Sequence, residues 1–245
     1  MSAGDRLSIV PDRSRLSDER RQRFRRRLRR LRRPAWLGTI RRTTPLSDEW
    51  GFDRGTPVDR YYIEHFLAQE RHRIRGRVLE VADSRYTLRF GSGVERGDVL
   101  DIDTNNPAAT FVADLAQADA LPADAFDCFI LTQTLQYVFD LHAAIRHVHR
   151  ILRPGGSVLC TVPAVSRIGR RYLETEHWRF TTASATRLFG EVFADGTVDV
   201  RARGNVLACV AFLMGVASEE LSTRELDSDD VFFPLVVTIS ASKGS

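Results

Sequence analysis

The chain has 245 residues, 43% apolar and 28% charged, which suits one large globular domain or a domain with an extension. Its net charge of +4 is local: residues 20–33 hold ten arginines and no acid, so the rest is net acidic and overall basicity cannot carry a nucleic-acid role. Cys128, Cys160 and Cys209 are dispersed and odd in number, which excludes a disulfide framework and fits a reducing, cytoplasmic setting, and neither a secretory signal nor a membrane span is expected.

Residues 1–44 read as a basic extension, partly disordered or helical, ahead of a body at 45–245. Phe24, Leu28 and Leu31 make a narrow apolar stripe on the cationic stretch, a face suited to peripheral membrane or protein contact, or to solvent. Pro34 ends it. Residues 45–59 are rich in turn formers. A helix is expected from Asp59 to His72, with Tyr62, Ile63, Phe66 and Leu67 on one face.

A strand at 77–82 follows, built on Val78, Leu79 and Val81 and interrupted by Glu80. Such a run suits a parallel strand covered on both faces. An acid near its end is costly to desolvate without donors, which points to a hydroxyl- or amine-bearing ligand. The segment 83–93 starts as a loop. A second strand ends within Asp98–Asp103, and Thr104-Asn105-Asn106-Pro107 is a turn. A third strand, Thr110–Ala113, leads into Asp114-Leu115, and a fourth spans Cys128–Leu131. After Asp140 a helix carries Ile145, Val148, Ile151 and Leu152 at spacings of three and four, and Arg153-Pro154-Gly155-Gly156 stops it. A fifth strand is expected at Ser157–Val162, a helix near Ser184–Phe193, a strand at Val198–Arg203, an apolar helix at Val206–Glu220, an acidic loop at Leu226–Asp230 and a strand at Phe232–Ala241. Strands alternating with helices argue for a parallel sheet with right-handed crossovers.

Taken together, Val78-Leu79-Glu80-Val81, an acid ending strand two, Ala113-Asp114-Leu115, Phe126-Asp127 opening strand four, Thr132-Gln133-Thr134-Leu135-Gln136-Tyr137-Val138 behind it, and Leu152-Arg153-Pro154-Gly155-Gly156 resemble the class I S-adenosylmethionine (SAM) dependent methyltransferases. The resemblance implies a Rossmann-like seven-stranded α/β sheet of order 3-2-1-4-5-7-6, helices on both faces, and SAM as cofactor. By the same resemblance Asp101 or Asp103 takes the ribose hydroxyls, with Asp98 as an outside candidate, and Asp114 with Leu115 meets the adenine. Glu80, Ala82 and Asp83 then line the methionine end, with Arg60 or Tyr61 from the preceding helix, and Thr132 and Gln133 begin the segment that faces cofactor and substrate. One departure stands out. The family's turn after strand one is rich in glycine, and here it reads Ala82-Asp83-Ser84. Glycine permits φ > 0 and close backbone approach, so its loss bears on how the cofactor sits.

His177-Trp178-Arg179-Phe180-Thr181 is similar to a stretch of bacterial methyltransferases found beside glycosyltransferases. Trp178 can cover a sugar or aromatic face, and Arg179 can fork onto a carboxylate or phosphate. Trp178 and Phe180 can equally be core anchors, with Thr181 capping the next helix. His177 is a candidate general base, Tyr137 a second, and His142 a further substrate contact. Nothing calls for a metal. The reading is a SAM-dependent methyltransferase acting, most naturally at oxygen, on a small polar or glycosylated metabolite. The alternatives are an enzyme of this fold without methyl transfer, such as a cyclase of natural-product biosynthesis, and a non-catalytic protein held by its Arg-rich segment.

Overall fold

The computed structural model describes Gly38 and residues 41–245, of which Thr44–Ser245 forms one compact unit. The Arg-rich stretch at 20–33 and its apolar stripe lie outside the described residues. In chain order the elements are α1 (Val58–Gln69), β1 (Gly76–Val81), α2 (Arg85–Phe90), β2 (Val94–Asp101), β3 (Phe111–Val112), β4 (Phe126–Thr132), α3 (Leu141–Ile151), β5 (Leu152–Pro163), α4 (Thr182–Val192), β6 (Thr197–Arg203), α5 (Val206–Met214), α6 (Thr223–Leu226) and β7 (Val236–Ser242). The seven strands form one sheet of order β3-β2-β1-β4-β5-β7-β6, parallel except for β7, which runs antiparallel to both neighbours. This is the order expected from the motifs.

The sheet is covered on both faces, and strand periodicity decides which side chain goes where. Val78, Cys128, Ile130 and Leu159 pack with Ile63, Phe66 and Leu67 of α1. Their neighbours Leu79, Phe129, Leu131 and Cys160 point the other way, onto Ile145 and Val148 of α3 and Phe189 of α4. All three cysteines are buried and unpaired. Among the described residues no helix is long and apolar enough to cross a membrane.

Several boundaries differ from expectation for local reasons. The segment after β1 is helical over Arg85–Phe90, because the carboxylate of Glu80 accepts from the backbone nitrogens of Tyr86 (2.9 Å) and Thr87 (2.7 Å) and so caps its first turn. Arg153-Pro154-Gly155-Gly156 belongs to β5 rather than to a free turn, since Leu152 already pairs with Phe126. Gly156 is required there: a Cβ would lie 2.9 Å from the carbonyl oxygens of both Arg153 and Phe126. The apolar helix stops at Met214, because Gly215 turns left-handed (φ +70°) and its backbone lies against Ser47.

Asp98 is 1% exposed and ion-paired to Arg77 (2.6 Å) and Arg96 (2.9 Å), with the Arg77 guanidinium 4.6 Å from the centre of the Phe126 ring. That pairing removes Asp98 from the ligand candidates. Truncation to Ala strands the Arg77 charge against an aromatic wall, and Asp98→Ala is expected to lower stability by about 3 kcal/mol. Urea denaturation of the variant checks it: the midpoint falls with the slope unchanged.

Candidate functional site

The parallel strands β1, β2 and β4 end together, and a cleft of about 760 Å³ opens beyond their carboxyl ends. In open α/β sheets this is where ligands sit. Two strand exits shape the cleft. The chain leaves β1 through Ala82 at φ +68° and leaves β4 through Gln133 at φ +48°, both left-handed and both facing the cleft. For a non-glycine residue that conformation costs roughly 1–2 kcal/mol. Hydrogen bonds hold each in place. Ala82 donates its N–H to Leu100 (2.9 Å), and its carbonyl accepts from the side chain of Asn106 (2.7 Å). Gln133 donates to Thr161 (2.8 Å), and its carbonyl accepts from the side chain of Gln136 (2.9 Å). The left-handed turn after β1 is thus made here by alanine under restraint.

Asp101 ends β2 and faces the cleft. Its Oδ2 accepts from Asn106 Nδ2 (2.5 Å) and its Oδ1 from the Asp103 N–H (3.0 Å). A carboxylate has about four acceptor sites, so two remain for the paired hydroxyls of a ribose. Asp103, the other sequence candidate, is not part of the cleft: its Oδ1 takes the backbone and side-chain nitrogens of Asn105 and closes the turn. Asp114 faces the cleft beside Leu115, with one oxygen accepting from Ala116 N (2.9 Å). Ile102, 71% exposed, adds an apolar wall that suits a base. Two adjacent acids, an apolar wall and a cation at the far end form a donor and acceptor set that fits an adenosine carrying an amino-acid tail.

The far end is formed by α1 and the turn after β1. Arg60 and Asp83 both face the cleft, Arg60 approaching the Tyr86 hydroxyl at 3.4 Å and Asp83 pairing with Arg85 at 2.6 Å. Desolvation pushes the Asp83 carboxyl up, but the hydrogen bonds from Arg85 and the charges of Arg85 and Arg60 together hold it below its ordinary range. Glu80 also borders the cleft, but it is only 2% exposed and its donors come from its own chain, including the Thr87 hydroxyl at 2.7 Å. Burial pushes its carboxyl up, and those hydrogen bonds oppose the shift. The ligand that the sequence suggested for Glu80 is therefore replaced by the α2 terminus. Tyr61 is turned away, donating to Asp227 (2.6 Å). Thr132 lines the cleft at the end of β4.

Of the residues suggested for substrate chemistry, Tyr137 and His177 face the cleft. Burial, with the nearby Glu176 charge, pushes the Tyr137 hydroxyl up to about 12. Tyr137 therefore stays protonated and can donate a hydrogen bond but cannot serve as a base. His177 is exposed, and its ring meets Phe139 edge-on at 5.3 Å. Trp178, Arg179 and His142 are elsewhere. Trp178 packs on the core and donates its indole N–H to Val138 (3.0 Å). Arg179 is consumed by Glu176 (2.8 Å) and by the carbonyls of Trp178 and Arg167. His142 is exposed on α3, beside Glu191. Phe180 is buried and Thr181 caps α4, accepting from Ser184 N. Asn106, which ties the site together, was visible in the sequence only as part of a turn.

A family profile described as "Methyltransferase domain" matches residues 42–189. A ubiquinone/menaquinone biosynthesis C-methyltransferase, UbiE, of Caulobacter sp. (strain K31) is 28% identical over 108 residues, 43% of this chain and 40% of that protein. The chain thus matches about two fifths of the curated relative's length. Among solved structures, a SAM-dependent methyltransferase of Archaeoglobus fulgidus superposes with a TM-score of 0.51 at 12% identity, over 75% of this chain and 94% of that one. The [4+2]-cyclase SpnF superposes with a TM-score of 0.53 at 16% identity, over 78% of this chain and 83% of that one. At these identities both are similar in fold alone.

The Asn106 clip makes a measurable demand. Asn106→Ala leaves the Ala82 carbonyl and one oxygen of Asp101 without their donor, so stability is expected to fall by about 1–2 kcal/mol. Affinity for S-adenosylhomocysteine, read by calorimetry, is expected to fall about tenfold. Unchanged affinity would show that Asp101 holds its orientation without the clip.

Proposed function

The chain belongs to the methyltransferase-domain family, with SAM as its methyl donor, and on that premise we propose that it methylates an oxygen of a small polar or glycosylated metabolite. The observation that carries this reading is the pair of carboxylates, Asp101 and Asp114, at neighbouring strand exits of one cleft. Asp101 receives the ribose hydroxyls, Asp114 and Leu115 meet the base, and Arg60 receives the carboxylate of the methionine tail. Bound SAM supplies a methyl on a positively charged sulfur, open to in-line displacement.

What the protein contributes is alignment, and alignment alone can supply much of the acceleration of such a step. Tyr137, held protonated by burial, donates to the acceptor and fixes its approach. His177, exposed at the cleft, receives the hydroxyl proton as the methyl transfers. The reaction balances: the acceptor oxygen gains the methyl, the imidazole takes the proton, and S-adenosylhomocysteine leaves. The alternative of an enzyme of this fold without methyl transfer is favoured by the altered turn Ala82-Asp83-Ser84; against it, Ala82 takes the left-handed turn without a glycine.

Calorimetric titration with S-adenosylhomocysteine tests the reading. Micromolar binding is expected in the unaltered protein, with a loss of tenfold or more in Asp101→Ala. Failure of the unaltered protein to bind would overturn it. For turnover, His177→Ala is expected to lower kcat by about 10²–10⁴-fold at unchanged S-adenosylhomocysteine affinity. Tyr137→Phe should lower kcat without moving the pH profile, because a hydroxyl pushed up to about 12 remains neutral throughout the working range.

A further inference from the structure

Behind the cleft is a second chamber of about 170 Å³, bordered by Arg60, Gln133 and Tyr137, which also face the cleft. Four side-chain atoms of residues bordering this chamber are buried without a hydrogen-bond partner: Asp59 Oδ1, Gln136 Oε1, Arg60 Nε and Gln133 Nε2. Asp59 is 9% exposed and Gln136 3%. A buried polar atom without a partner costs roughly 1–3 kcal/mol, and four around one small space are far more than packing requires. Two of the four accept and two donate. The remaining acid, Glu176, is already neutralised by Arg179 and by the Gly169 N–H. Burial pushes the Asp59 carboxyl up, with the Arg60 charge opposing. Facing these groups are flat or apolar walls, among them Trp50, Phe52 and Phe212.

We propose that this chamber binds the methyl acceptor, and that the acceptor is a neutral hydroxylated ring of monosaccharide or cyclitol size, its hydroxyls bridging Asp59, Gln133 and Gln136 and its apolar face against the aromatic wall. The proposal rests on the methyltransferase reading above. Hydroxyls fit because each both donates and accepts, so neighbouring ones satisfy a mixed set of two donors and two acceptors. The space holds on the order of ten water-sized groups, about one such ring. A carboxylate on the ring would meet the Asp59 charge and is disfavoured. Arg60 and Tyr137 border both spaces, so a hydroxyl at that end of the chamber lies beside residues that also face the donor.

The test uses the full chain saturated with S-adenosylhomocysteine, titrated with methyl α-D-glucopyranoside and followed by the indole and amide resonances of Trp50, Gln133 and Gln136. The expected result is saturable binding with these resonances shifted, weakened about tenfold or more in Asp59→Asn and in Phe52→Ala, two chamber residues outside the cleft, with S-adenosylhomocysteine affinity unchanged in both variants as proof of folding. The corresponding uronic acid should bind more weakly than the glucoside. The proposal is overturned if the glucoside does not bind, if it binds equally well to the variants, or if the uronic acid binds more tightly. Should S-adenosylhomocysteine itself fail to bind, the methyltransferase reading falls and this inference with it, a result distinct from loss of the glucoside alone.

Discussion

Everything at the ligand end of the sheet depends on holding two non-glycine residues in the left-handed region. Ala82 and Gln133 turn the chain out of adjacent strands, β1 and β4, at φ +68° and +48°. Each pays a local conformational cost, and each is tied by one backbone hydrogen bond and one side-chain clip. The clips differ in what else they do. Asn106 also orients Asp101, coupling the shape of the turn to the acid beside it. Gln136 grips Gln133 with its nitrogen and leaves its oxygen buried without a partner. Strain at the two exits is thus bound up with the groups that face the two cavities.

Charge is distributed on the same logic. At the closed end of the sheet, Asp98 is saturated by two arginines and Asp127 by the Arg77 N–H and Arg153, so these acids only hold strands together. At the open end, Asp101 and Asp114 spend part of their acceptor capacity on the backbone and keep the rest. Glu80 is the intermediate case. It sits at the open end but is spent on the α2 terminus, which converts an apparent ligand residue into the anchor of the turn. Position along a strand does not settle whether an acid is available; the count of donors already on it does.

This accounting bears on how function divides between the two cavities. The cleft is large and acid-tipped, suited to a long nucleoside, and the chamber is small, with aromatic and polar residues in its lining. Arg60 and Tyr137 border both. Residues shared in this way would act on the acceptor and the donor at once, which is where the alignment that drives methyl transfer must be enforced.

The sequence alone placed most of the strands, and its resemblance to a known family implied the sheet order. Alternating apolar runs, the Asp-rich exits after strands two and three and the Leu-Arg-Pro-Gly-Gly stretch are local signals, and local signals survive in one dimension. It also narrowed the strand-two acid to Asp101 or Asp103 and brought forward His177 and Tyr137. Only the tertiary structure distinguishes the surroundings of the two acids: Asp101 faces the cleft, and Asp103 closes the turn through Asn105. It likewise shows Tyr61, Trp178, Arg179 and His142 engaged by Asp227, Val138, Glu176 and Glu191, all but Glu176 distant in sequence. Asp59 and Gln136 came to notice only in three dimensions, since a missing hydrogen-bond partner is a property of the surrounding shell and not of the residue.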